Sequence, residues 1–117
     1  MYRFPSDLDL SANIGEATTQ FRIGQYDFQF SIGNASFQIA TPVTLIKNGS
    51  VIGSWKNDQW PSPEFKNIFN VNLKNVEIRS DKLLVLTFEN NIEMHLVDNS
   101  DQFESMTIWV DKELWVI

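Results

Sequence analysis

The chain has no cysteine and only one histidine among its 117 residues, with five glycines and four prolines. Without cysteine there is no disulfide to staple the fold and no thiolate to act as nucleophile or metal ligand. A single histidine, His95, leaves a metal site short of ligands, so scattered carboxylates would have to supply the rest. Five glycines, each standing alone, write neither a phosphate-binding loop nor a dinucleotide fingerprint. No apolar run approaches the length of a membrane-spanning helix. The opening residues MYRFPSDLDL lack a basic stretch followed by an apolar core and a small-residue cleavage site, so they do not read as a signal peptide. These absences favour a cytoplasmic, non-catalytic protein with no cofactor and no metal.

Apolar residues make up 43% and charged residues 21% of the chain, which is the balance of a folded domain rather than a disordered one. The length fits a single domain over 1–117 with one core. The net charge of −6 lies entirely in the last third. Residues 1–76 are balanced. Residues 77–117 hold Glu77, Asp81, Glu89, Glu93, Asp98, Asp101, Glu104, Asp111 and Glu113 against Arg79, Lys82 and Lys112. Such a field repels nucleic acid and anionic lipid and attracts a basic partner, and it also keeps a small protein soluble.

Period-two hydrophobic patterning dominates. The stretch Lys82–Ile108 reads as a strand, a turn at Asn90-Asn91, a second strand through Ile92, Met94 and Leu96, an acidic loop, and a third strand. Earlier, Tyr26, Phe28, Phe30 and Ile32 alternate with Asp27, Gln29 and Ser31. Gly33-Asn34 and Asn48-Gly49 signal hairpins. Asn75 marks an irregularity in the strand from Val71 to Ile78. Residues 1–20 read mostly as loop, with Leu8 and Leu10 as anchors. Asp111-Lys112-Glu113 turns the chain into a last apolar strand, Leu114–Ile117. One short helix is expected near 63–69, with Ser62 as its cap, Pro63 first, and Phe65, Ile68 and Phe69 docked on the sheet. The expected fold is mainly β, an antiparallel sandwich or half-open barrel with that one helix. Phe28, Phe30, Ile32 and Asn34 match Leu84, Leu86, Phe88 and Asn90 at a constant offset. This reads either as a duplication or as the likeness of any two alternating strands that run into a turn.

Few residues offer chemistry. His95 is expected on a polar strand face beside Glu93. Asp98-Asn99-Ser100-Asp101 with Glu104 has calcium-like spacing, but no glycine sits mid-loop and no helix flanks it, so it reads as an exposed charged loop. Of the tryptophans, Trp109 and Trp115 sit among Ile, Val and Leu and read as core. Trp60, in Gln59-Trp60-Pro61-Ser62, reads as partly exposed and able to anchor a protein or stack on a sugar.

Residues 71–117 resemble a group of small bacterial β-rich proteins. The shared pattern is Leu84-Val85-Leu86-Thr87-Phe88, a turn at Asn90-Asn91, Ile92 to Leu96, then Phe103-Glu104-Ser105-Met106, and Leu114 to Ile117. Asn91 stands where the pattern has glycine and Met106 where it has tryptophan. In size, acidity and organisation the chain also resembles the immunity proteins of bacterial polymorphic-toxin and contact-dependent inhibition systems. That resemblance implies a cognate toxin with a basic surface, commonly a nuclease, bound through Glu93, Asp98, Asp101, Glu104 and Trp60. Glu104 has a structural alternative, holding a backbone turn. The competing expectations are a non-catalytic carbohydrate or small-ligand module built on Trp60, and a structural subunit.

Overall fold

A computed structural model of the chain describes residues 3–99 and 104–117. Ten strands form two open antiparallel sheets that pack face to face as a sandwich. They are β1 (Thr18–Ile23), β2 (Phe28–Ile32), β3 (Ala35–Ile39), β4 (Val43–Lys47), β5 (Ser50–Trp55), β6 (Leu73–Ser80), β7 (Leu83–Phe88), β8 (Glu93–Val97), β9 (Met106–Val110) and β10 (Glu113–Val116). One sheet runs β1-β2-β3-β9-β10 and the other β5-β4-β8-β7-β6. The alternation seen in the sequence becomes the inner faces. Phe28, Phe30, Ile32, Phe37 and Ile39 of the first sheet meet Val43, Leu45, Leu84, Leu86, Phe88, Met94 and Leu96 of the second, all fully buried.

The hairpins follow turn chemistry. Asn48 and Gly49 both have positive φ, as a type I′ turn demands. The β7–β8 turn is one residue longer than the two-residue hairpin expected. Phe88 N–H donates to Ile92 O at 2.9 Å, which leaves Glu89-Asn90-Asn91 as the loop, with Asn91 in the left-handed region at φ 66°. This is a three-residue hairpin, and Asn91 fills the place glycine usually takes.

Other expectations are corrected. Thr18 and Thr19 begin β1 rather than lying in a loop, and Tyr26 belongs to the turn between β1 and β2, outside the strand. Trp109 is 38% exposed because Met106 and Ile108 take the inward places of β9, which turns Trp109 outward beside Leu114. The helix near 63–69 is a 3-10 turn over Pro63–Ile68. Three residues per turn put Phe65 and Ile68 on one face, both buried, and carry Phe69 off it to 52% exposure. Ser62 forms no side-chain cap. Its Oγ accepts the Ser54 N–H at 2.8 Å instead, while Ser62 N–H donates to Ser54 O at 3.1 Å. These bonds tie the turn over the edge strand β5, where Gly53 leaves room. A Cβ there would sit 2.9 Å from Ser62 Oγ and 3.0 Å from Glu64 Cβ.

The halves of the sandwich repeat one plan. Each is a three-stranded meander followed by a hairpin, β1-β2-β3 with β4-β5 and β6-β7-β8 with β9-β10. Each hairpin joins the other half's sheet, through β3–β9 and β4–β8. The irregularity expected at Asn75 is a register shift between Leu73 and Asn75, and its counterpart falls between Thr18 and Gln20. An antiparallel bridge joins Ala17 to Asn72. Around it the hydrogen bonds are reciprocal: Thr18 N–H to Val71 O matches Leu73 N–H to Glu16 O, and Gly15 N–H to Leu73 O matches Asn70 N–H to Thr18 O. These pairs define a pseudo-twofold repeat centred on the bridge, and the matched strands β2 and β7 occupy equivalent places in it, one residue out of step with the bridge pairs.

Candidate binding groove around Trp60

Two segments build the most exposed apolar feature. Asp58 N–H donates to Gln25 O at 2.7 Å, and Gln25 Nε2 donates to Asp58 Oδ1 at 3.0 Å. These bonds pin the loop after β5 to the connection between β1 and β2. They set Trp60 beside β1 with 80% of its surface exposed. The chain then runs through Pro61 and Pro63 into the 3-10 turn. Between that turn and β1 lies a cavity of about 410 Å³ lined by Phe21, Phe28, Trp60, Pro61, Phe65 and Phe69, among others, with Lys66 at its rim.

The groove floor continues into the core as a line of aromatic rings. Phe69 lies 6.2 Å from Phe21, Phe21 stacks on Phe28 at 5.7 Å, and Phe65 meets Phe28 edge-on at 5.0 Å. Phe28 in turn contacts Phe30 and Trp55. Rings held this way are rigid, so an occupant meets a preformed apolar surface and little side-chain entropy is lost on binding. On its other side Trp60 borders a more polar cavity of about 430 Å³ with Ile23, Gly24, Gln25, Asp58 and Gln59. Both volumes lie in the range of about 300–1,000 Å³ typical of ligand sites.

The acidic residues singled out in the sequence fall elsewhere. Glu93 is on β8 with Oε1 2.9 Å from His95 Nε2, on the polar strand face expected for both, and its Oε2 is 3.9 Å from the Arg79 guanidinium. Glu104 is exposed ahead of β9. Asp101 lies outside the described residues, as does Phe103 of the resemblance segment. Asp98 is not part of an exposed loop: it is 1% exposed, accepts the Ser105 Oγ–H at 2.6 Å, and pairs with Arg3 Nη1 at 3.0 Å. A carboxylate taken from water needs such partners, and here they hold the chain's start against the β8–β9 connection. Trp60 and the described acids Glu93, Asp98 and Glu104 therefore sit on separate elements.

Phe21, Phe65 and Phe69 escaped the sequence reading as groove residues because each fits a strand or helix pattern that predicts burial. The Trp60-Pro61-Ser62-Pro63 cluster was the available signal. Among the described residues no three His, Asp or Glu side chains gather as a metal site, and no helix is long and apolar enough to cross a membrane. Comparison with family models, with curated proteins and with solved structures found no match.

Proposed function

We propose that the protein is a non-catalytic binding protein that holds a basic protein partner, with an apolar side chain of that partner seated in the Trp60 groove. The observation that carries this reading is the pairing of Trp60 and Phe69, both largely exposed, over a floor of rigid rings. Exposed tryptophan beside a preformed apolar hollow is the usual make-up of an interface anchor. The net charge of −6 supports a basic partner, drawn in by long-range attraction. An immunity protein that neutralises a cognate toxin would work in this way, the anchor giving lifetime and the acidic field giving speed.

The test is capture from lysate of the source cell at low and high salt, followed by expression of the captured protein alone. The reading expects a stoichiometric basic protein that is toxic by itself and whose association slows steeply with salt. Absence of a protein partner at low salt from a lysate that contains the candidate toxin contradicts it.

The polar cavity on the other side of Trp60 favours a second reading, a carbohydrate-binding module. Trp60 would be the stacking face, and Gln25, Asp58 and Gln59 the hydrogen-bonding groups. It expects a sugar-dependent change in tryptophan fluorescence with little salt dependence.

A further inference from the structure

The pseudo-twofold repeat carries one step further, and it rests on the reading of the Trp60 groove as a binding site. The repeat that matches Ala17 to Asn72 and Gly15 to Asn70 also matches Leu10 to Phe65, Ile14 to Phe69, and Val76 to Phe21. Ile14 and Phe69 share one backbone conformation, φ −64° and ψ 129° against φ −65° and ψ 130°, each just past a 3-10 turn. Both side chains are exposed, Ile14 at 44%. A cavity of about 190 Å³ lies at Leu8, Leu10, Ile14, Val76 and Ile78, with Asp9 and Ser11 at its rim. It is the counterpart of the Trp60 groove, with aliphatic side chains where that groove has rings.

The rims differ in charge. The aromatic groove has the cation Lys66 in its lining. At the aliphatic one Ser11 takes the place of Lys66 and the acid Asp9 joins the lining, with no ion pair to it among the described residues. The Asp9 carboxylate accepts the Ser11 N–H at 2.9 Å, and its bonds to Ser11 hold its pKa below the ordinary value, so it stays ionised at neutral pH.

We infer that the Leu8–Ile14–Val76 groove is a second binding site, which takes an aliphatic side chain of a protein partner carrying a basic residue next to it. The volume, about half that of the aromatic groove, suits a leucine-sized group. The Asp9 rim supplies the charge complement for a neighbouring lysine or arginine. The protein then offers a partner two related anchor points, one aromatic and one aliphatic.

Methyl NMR on the full chain tests this with two probes, N-acetyl-Leu-Lys-amide and N-acetyl-Leu-Glu-amide. The lysine probe should shift the methyls of Leu8, Ile14, Val76 and Ile78 saturably and bind about threefold tighter than the glutamate probe, the scale of a surface ion pair. Asp9→Asn should erase that preference, and Ile14→Glu should abolish the shifts. N-acetyl-Phe-amide reports the aromatic groove separately, through the Ile23 methyls. Ile23 shifts with no saturable change at Ile14 and Val76 would overturn the second site and leave the first. Silence at both would overturn both. Equal binding of the two leucine probes would overturn the assignment of a basic neighbour.

Discussion

Gly15 and Asn70 occupy equivalent places on either side of the Ala17–Asn72 bridge: each has positive φ, 94° and 62°, and each donates its N–H across the repeat at 2.7 Å. The left-handed region costs a β-branched residue about 1–2 kcal/mol, whereas glycine and asparagine enter it readily. Asn70→Val is therefore expected to lower stability by about 1–2 kcal/mol, with Asn70→Gly close to wild type. Denaturant unfolding of the three proteins measures this. Equal loss in both variants would show that the asparagine side chain, and not its backbone, is what matters there.

Asp98 is expected to act as a structural anchor. Removing Asp98 leaves the buried Ser105 hydroxyl and the half-buried Arg3 guanidinium without this acceptor, at a cost of about 2 kcal/mol. Asp98→Ala should approach that loss, while Glu104→Ala on the exposed neighbouring segment should change stability by less than about 0.5 kcal/mol. Thermal melts compare them. Similar melting of both variants would remove the structural role assigned to Asp98.

At the β7–β8 turn, Asn91 holds φ 66° where glycine would be unstrained. Asn91→Ala and Asn91→Gly should separate by about 1 kcal/mol, with the glycine variant the more stable. The exposed Lys74 Nζ to Asn91 Oδ1 bond at 3.1 Å is lost in both and so cancels. Unfolding midpoints decide the order, and alanine at or above glycine would contradict the turn geometry.

Most of the sandwich was legible in the sequence because a strand with one buried face alternates, and Phe28–Ile32 and Leu84–Phe88 alternate cleanly. The groove was not legible, for a local reason. Phe65, Ile68 and Phe69 share a face in an α-helix. In a 3-10 turn Phe69 swings away, and no hydropathy pattern distinguishes the two in six residues. Asp98 was misleading for a different reason. The residues that follow it in sequence are polar, while its partner Arg3 is ninety-five positions away. The repeat was visible only as one strand matched to another, because the offset drifts where the second half's hairpin loop is longer.

Asp9 gives the pH dependence a definite sign. Its folded pKa lies below the ordinary value because of its bonds to Ser11. Its contribution to stability is therefore complete above the ordinary aspartate pKa, and is lost as pH falls through the lowered folded one. Carboxyl NMR should place the Asp9 midpoint below that of an unstructured aspartate, and Ser11→Gly should raise it. A midpoint at or above the ordinary value would contradict the loop geometry around Ser11.

If the Trp60 groove anchors a partner, Trp60→Ala should bind the purified, captured protein more weakly than the wild type does. Trp60 is exposed, so the variant should fold as the wild type does, and its melting point provides the control. Truncating an interface anchor costs about 2 kcal/mol or more, which is roughly thirtyfold in Kd. Trp60→Ala is expected to lose that much affinity and Phe69→Ala less, both mainly in the dissociation rate. An unchanged Kd with a normally folded Trp60→Ala protein would contradict that anchoring role.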